Sequence, residues 1–244
     1  LLSFSQVTMR YPRGREHIVV LHDVSLEIDS CDYVGLWGTR RSGKSTLLRI
    51  AAGIEQPDAG SVCWDGRVVG QMSASERARL LRGGGIGFAS TDWRPQPNQR
   101  ALEHVALPLL SDRTSLRGAK ILARRALDRV DAGYCADVWT HRLSLGELLR
   151  VSLARALVRD PRLLLVDEPA VLPSPSESEE LYALLRNLGR GGKLAVIVAS
   201  EDLSAIQSAP RMLSIGEGTL RSMESPNVVV PFPRQPAMAD DARL

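Results

Sequence analysis

Short alternating or continuous apolar runs take turns along the chain with longer stretches of helical repeat, the signature of an α/β fold. Residues 3–9 and 18–28 alternate or cluster apolar side chains and predict strands, with a polar turn at 12–16 between them. Residues 33–37 predict a short buried strand. Residues 44–52 have helical character, with Leu47, Leu48, Ile50 and Ala51 as the apolar positions and Gly53 as the C-cap. Asp65-Gly66 suits a tight type I′ turn and predicts a hairpin between 61–64 and 67–69. Residues 73–81 predict a helix capped by Ser73, and the glycines at 83–85 a joint before the strand 86–89.

The stretch 92–100 holds two prolines and Trp93 and predicts a loop. From 101 to 157 the pattern is mainly helical, broken near 111–117 and 133–145. Buried strands are expected at 163–166 and 194–199, a helix at 177–188, and a closing hairpin at 212–215 and 219–223. Periodicity then stops. Residues 225–244 carry four prolines, so 223–244 are expected to form a disordered tail.

Composition narrows the function classes. Hydrophobic residues make up 44% and aromatics only 5%, so the core is mostly aliphatic. The net charge of +3 is carried by arginines spread along the chain, with no basic block interleaved with aromatics; no nucleic-acid partner is expected. Cys31, Cys63 and Cys135 are odd in number and form no CxxC, which argues against a disulfide framework or a zinc site. His17, His22, His104 and His141 lack metal-ligand spacing. The longest apolar runs fall far short of the ~20 residues that span a bilayer, and residues 1–10 lack a signal-peptide layout. Work at a membrane would therefore need a second chain to supply the span.

The run Gly38-Thr39-Arg40-Arg41-Ser42-Gly43-Lys44-Ser45 matches G-x-x-x-x-G-K-[ST] and sits between a buried strand and an apolar helix. Gly38 and Gly43 let backbone N–H groups wrap phosphates without Cβ clashes, and the following helix points its positive end at them. Lys44, one of only three lysines, reaches the β/γ-phosphates, and the Ser45 hydroxyl ligates Mg²⁺. Farther along, the apolar strand 163–166 ends in Asp167-Glu168-Pro169. That spacing places Asp167 beside the phosphate loop, holding Mg²⁺ through its water shell, and Glu168 where it can polarise an attacking water. Mg²⁺ and ATP are the expected ligands, with Lys44 and Glu168 as the catalytic residues.

Leu143-Ser144-Leu145-Gly146-Glu147, just before the helix 148–157, resembles the LSGGQ signature of ABC ATPases, and 150–157 resembles that family's RVAIARAL. The resemblance covers about residues 3–222. Ser73 to Arg79, Ile86-Gly87-Phe88 and Glu103 to Leu109 look most like the lipoprotein-releasing, macrolide-exporting and cell-division branch. The resemblance implies a P-loop ABC core with an antiparallel β-subdomain and a helical subdomain at about 92–155, all within a domain spanning 1–222. It implies nucleotide contacts from Gly38 to Thr46, Tyr11 stacking on adenine, and a head-to-tail dimer. Each site then joins one subunit's phosphate loop to Ser144, Gly146 and Glu147 of the other. The partners implied are an integral membrane permease and a second ATP-binding subunit, at the cytoplasmic face of the cell membrane.

Several positions depart from that pattern. The glutamine expected to link Mg²⁺ and water to the permease falls on Thr91, the first signature glycine on Leu145, the aspartate after the catalytic glutamate on Ser174, and the γ-phosphate histidine on Ser200. A glycine usual inside the phosphate loop is Arg41. Two readings fit: binding kept with hydrolysis slow or partner-dependent, which is preferred, or substitutions tolerated with Glu168 still turning over ATP. The substitutions also favour a heterodimer or specialised complex over a homodimer. A regulatory ATPase that drives a membrane protein without moving a substrate is the main alternative. A DNA-repair or translation ATPase is disfavoured by the lack of a coiled-coil insertion or a second ATPase unit. Trp93 is either a packing residue of its loop or a partner contact.

Overall fold

The computed structural model describes residues 1–90, 95–111, 114–169, 174–190 and 194–223, the side chains of Leu81 and Arg82 excepted. In chain order the strands and α-helices are β1 (Leu2–Arg13), β2 (Glu16–Ile28), β3 (Tyr33–Trp37), α1 (Lys44–Ala51), β4 (Ala59–Trp64), β5 (Arg67–Val68), α2 (Ala74–Arg82), β6 (Ile86–Ser90), α3 (Ala101–Leu110), α4 (Leu116–Asp128), α5 (Leu145–Leu157), β7 (Leu163–Asp167), α6 (Pro175–Arg190), β8 (Ala195–Ser200), β9 (Arg211–Gly216) and β10 (Thr219–Met223). They form an antiparallel sheet in the order β2-β1-β4-β5 and a six-stranded sheet in the order β10-β9-β3-β8-β7-β6. In the second sheet, β9, β3, β8, β7 and β6 run parallel and only β10 is antiparallel.

The parallel strands are nearly all apolar because both faces of their sheet are covered. Alternate residues serve two different cores. Val34, Leu36, Leu163, Leu165, Ala195, Ile197 and Ala199 face α1 and the antiparallel sheet. Tyr33, Leu164, Val166, Val196 and Val198 face the helices α3 to α6.

The early hairpin is longer than its hydrophobic pattern predicts. β1 and β2 pair out to Arg13↔Glu16, so the polar segment 12–16 is mostly strand and the turn shrinks to Gly14-Arg15, with Gly14 at φ +64°. Pro12 is tolerated because β4 pairs with β1 only as far as Thr8↔Ala59, leaving that side of β1 an open edge. The Asp65-Gly66 hairpin forms as expected, both residues at positive φ, with Trp64 paired to Arg67. Ser73 and Glu76 cap α2 reciprocally. α6 starts two residues earlier than its periodicity suggests: Pro175 occupies the first helical position, where its missing N–H costs nothing, and Ser178 N–H closes the turn on Ser174 O at 3.2 Å.

α3 contains Pro108, which removes the N–H that would bond the His104 carbonyl. That carbonyl accepts instead from Arg155 Nη1 on α5 at 2.6 Å. The helix break thereby becomes a crosslink between α3 and α5. The expected tail beyond Met223 lies outside the described residues.

β3 matters most for function, because it delivers the chain to the phosphate loop. It runs between β9 and β8, and at Gly35 the segment after β8 crosses so closely that a Cβ there would lie 2.6 Å from Ile206 Cβ and 3.2 Å from Ala209 Cβ. Gly35→Ala is expected to destabilise the fold by about 1–3 kcal/mol through overpacking. Urea unfolding checks it, and an unchanged midpoint would show that the crossing has slack.

Candidate nucleotide-binding site

The chain leaves β3, makes a loop from Gly38, and enters α1 at Lys44. Two glycines are required by what surrounds them. A Cβ on Gly38 would sit 2.5 Å from Ser42 Oγ and 2.6 Å from Ile215 O, and Gly43, the residue before the helix, has φ +110°. The first-turn N–H groups of α1 have no intrahelical acceptor and point out of its N-terminus.

Lys44 is only 4% exposed. Its ammonium donates to Gly38 O at 2.7 Å and Thr39 O at 3.1 Å, and pairs with Glu168 Oε1 at 2.9 Å. The Ser45 hydroxyl donates to Asp167 Oδ1 at 3.0 Å. Asp167 is buried at the end of β7, and burial pushes its carboxyl above the usual carboxylate range, against the hydrogen bond from Ser45, which pulls it back down. Glu168 takes φ +49°; its N–H bonds Ala199 O, and its Oε2 accepts the N–H of Glu201 at 3.2 Å. The end of β7 thus meets the phosphate loop as the spacing predicts, and Glu168 ties both to the end of β8.

These groups line a cavity of about 460 Å³, together with Tyr11, Arg40, Arg41, Ser42, Gly43, Thr46, Arg49 and Ser90. The cavity fits a nucleoside triphosphate with Mg²⁺. Its size lies within the usual ~300–1,000 Å³ of ligand sites. The buried Ser42 hydroxyl oxygen has no hydrogen-bond partner among the described residues, a polar group on a phosphate-sized cradle. Ser45 and Asp167 supply the hard oxygen donors that Mg²⁺ takes.

Tyr11 reaches the same cavity from β1. Its hydroxyl donates to Glu55 and lies 3.4 Å from Thr46 Oγ1. Glu55 also accepts from Arg49 Nε at 2.6 Å. Arg49 and Glu55 escaped the sequence reading. Arg49 lies four residues after Ser45 on α1, so helical periodicity was the signal that could have found it.

The signature segment lies elsewhere. Ser144 and Glu147 form a reciprocal cap on α5: Ser144 Oγ accepts Glu147 N–H at 3.2 Å, and Glu147 Oε2 accepts Ser144 N–H at 2.8 Å. Ser144, Gly146 and Glu147 line a second cavity of about 530 Å³ with Arg150, Asp131 and Glu180. This cavity is the larger, but it holds none of the phosphate-loop chemistry. The phosphate loop and the Ser144–Glu147 segment therefore line separate cavities of the chain. Leu145 is 44% exposed, so its side chain stands out from its own subunit. Ser174 bonds Ser176 Oγ at 2.6 Å and supplies the carbonyl that closes the first turn of α6. Ser200 is 2% exposed, and its hydroxyl accepts the Asp202 N–H at 3.0 Å, turned onto its own chain. Thr91 and Trp93 lie outside the described residues.

Comparison with known proteins agrees with this geometry. The family model described as ABC transporter matches residues 21–171. The chain is 33% identical over 220 residues to the lipoprotein-releasing system ATP-binding protein LolD of Pseudomonas syringae pv. tomato, covering 90% of this chain and 96% of that protein. It is 36% identical over 218 residues to LolD of Myxococcus xanthus, covering 89% and 97%. Among solved structures, the dimeric ATP-binding cassette MJ0796 in a post-hydrolysis state with ADP and Pi superposes with a TM-score of 0.84 at 28% identity, covering 92% of this chain and 98% of that one.

Ser45→Ala removes the hydroxyl that steadies Asp167. Nucleotide affinity is expected to fall on the order of tenfold or more in Mg²⁺ and to change little in EDTA. Titration in the two buffers checks this, and an equal loss in both would take Ser45 out of any metal role.

Proposed function

Because the chain belongs to the ABC transporter family, we propose that it is the nucleotide-binding subunit of a membrane transporter-type complex. It closes as a dimer on Mg²⁺–ATP and passes that motion to an integral membrane permease. The observation that carries this reading is the separation of the two half-sites. The Lys44, Ser45, Asp167 and Glu168 cluster lines one cavity, while Ser144, Gly146 and Glu147 line another that a second subunit's nucleotide can meet. No helix among the described residues is long and apolar enough to cross a membrane, so the permease is a separate chain in this reading. The subunit works at the cytoplasmic face of the membrane, where ATP is available.

In its own subunit, Lys44 and the N–H groups from Gly38 to Thr46 hold the phosphates, and Tyr11 offers its ring to the base. Ser45 and Asp167 hold Mg²⁺, which supplies charge neutralisation at the phosphates. Glu168 positions the attacking water once Lys44 turns to phosphate. Hydrolysis is slow without the partner. Ser200 is 2% exposed, and its short hydroxyl, which accepts the Asp202 N–H, lacks the reach of an imidazole toward a terminal phosphate, while the exposed Leu145 brings an apolar side chain to the face that meets the other subunit. Each transition-state donor removed costs about 10²–10³ in rate.

The test is purification from membranes with identification of the bound chains, followed by ATPase measurement with and without them. An integral membrane chain is expected to copurify, with turnover low for the isolated subunit and raised by that chain. Brisk turnover by the isolated subunit would end the slow-hydrolysis reading. Recovery from membranes with no integral partner would end the permease reading. A partner with a large external domain and few spans would point to mechanical regulation instead of transport.

A further inference from the structure

Two arginines occupy the middle of the phosphate loop, Arg40 and Arg41. Both are exposed, and both line the cavity that holds Lys44, Ser45, Asp167 and Glu168. Neither makes a hydrogen bond or ion pair with any described residue. Arg49, the third arginine lining the same cavity, is by contrast held by Glu55. The cavity is lined by four cationic side chains, Arg40, Arg41, Lys44 and Arg49, against two carboxylates. Lys44 is committed to Glu168 and Arg49 to Glu55, so the uncommitted positive charge is that of the two loop arginines.

The backbone makes Arg41 stranger still. It takes φ +64°, the left-handed region that glycine enters freely and a side chain with Cβ enters at a cost. The loop thus keeps a long cationic side chain where glycine would be easier. Ser200, at the end of β8, does not line the cavity, and its hydroxyl accepts the Asp202 N–H.

The geometry points to Arg40 and Arg41 as phosphate-binding residues, whose guanidinium groups grip the terminal phosphates of the nucleotide from within the same subunit. The inference rests on the nucleotide-site reading above and adds side-chain recognition to the backbone cradle. A guanidinium presents paired N–H donors that match two phosphate oxygens, a stronger and more directional contact than a neutral donor gives. Two of them on one loop favour a triphosphate over a shorter phosphate chain.

The test is equilibrium binding of ATP, ADP and AMP with Mg²⁺ to the full chain and to Arg40→Ala, Arg41→Ala and Arg41→Gly, alongside the melting temperature of each ligand-free protein. ATP affinity is expected to fall about tenfold for each arginine lost, ADP affinity by less, and AMP affinity not at all. The difference should shrink at high salt. Ligand-free Arg41→Gly is expected to melt higher than the unsubstituted chain, so the more stable protein binds ATP less well, a combination that a purely structural role cannot give. Equal losses for ATP and AMP, or no loss, would overturn the proposal. So would a loss seen only at concentrations where the chain is dimeric, which would assign the arginines to the partner subunit. If the unsubstituted chain fails to bind ATP, the nucleotide-site reading fails and takes this proposal with it. If it binds and the variants match it, only the arginine proposal fails.

Discussion

An ammonium group buried at the base of a loop is the constraint around which this molecule is arranged. Lys44 has almost no contact with solvent, so its charge must be met by protein. Two backbone carbonyls and the Glu168 carboxylate meet it. The carbonyls belong to the loop after β3 and the carboxylate to the end of β7, strands separated in the sheet by β8. The second oxygen of Glu168 then reaches the backbone just past β8. One cation thus fastens the ends of three strands that the parallel sheet brings to the same edge. Such a network stays bound to itself only until a stronger anion arrives, and a phosphate chain at the N-terminus of α1 is one.

The sheet's pleat is what allows that edge to exist. Because alternate residues of β3, β7 and β8 point into different cores, each strand is gripped from both faces and its end is held in place. Chemistry-bearing residues can then be short and still meet: Ser45 and Asp167 are 122 residues apart in sequence and 3.0 Å apart in space. The helical face adds side-chain crosslinks to its apolar core. Arg155 replaces the hydrogen bond that Pro108 cannot make, and Arg150 spans Val130 O, Asp131 and Glu180. These polar ties supplement the apolar packing of Leu149, Val151, Leu153, Ala154 and Leu157, which buries α5 in the helical core.

Much of this was legible in the chain. β3 was read to its exact ends, since a five-residue apolar run between a turn and a glycine-rich loop has few alternatives. The phosphate loop, the Asp167 strand end and the Asp65-Gly66 hairpin were legible because each needs particular residue types at fixed spacing. The ends of β1 and β2 were not, because an exposed two-stranded ribbon carries no hydrophobic signal; only the register shows that Arg13 faces Glu16. Tyr11 is legible through the resemblance and Arg49 through helical periodicity, but their meeting at Glu55 is not. Tyr11 and Glu55 meet across 44 residues through folding, and no local pattern announces that a tyrosine hydroxyl will share a carboxylate with an arginine. Thr91 and Trp93 were singled out from the chain, but they lie beyond the described residues.

Two of the residues lining the nucleotide cavity, Arg41 and Glu168, sit at positive φ without being glycine. Each such backbone costs on the order of 1–2 kcal/mol, and strain of that kind persists only where the surroundings over-determine it. For Glu168 the surroundings are visible: its N–H is held by Ala199 O, its carboxylate by Lys44 and Glu201 N–H. For Arg41 no protein partner plays that part among the described residues. The strain at Glu168 is therefore offset within the chain, whereas that at Arg41 is left without an internal counterweight. The site keeps its phosphate loop, the Ser45–Asp167 pair and Glu168 together beside two loop arginines that no described carboxylate neutralises, a charge balance that under the proposed reading favours holding the nucleotide.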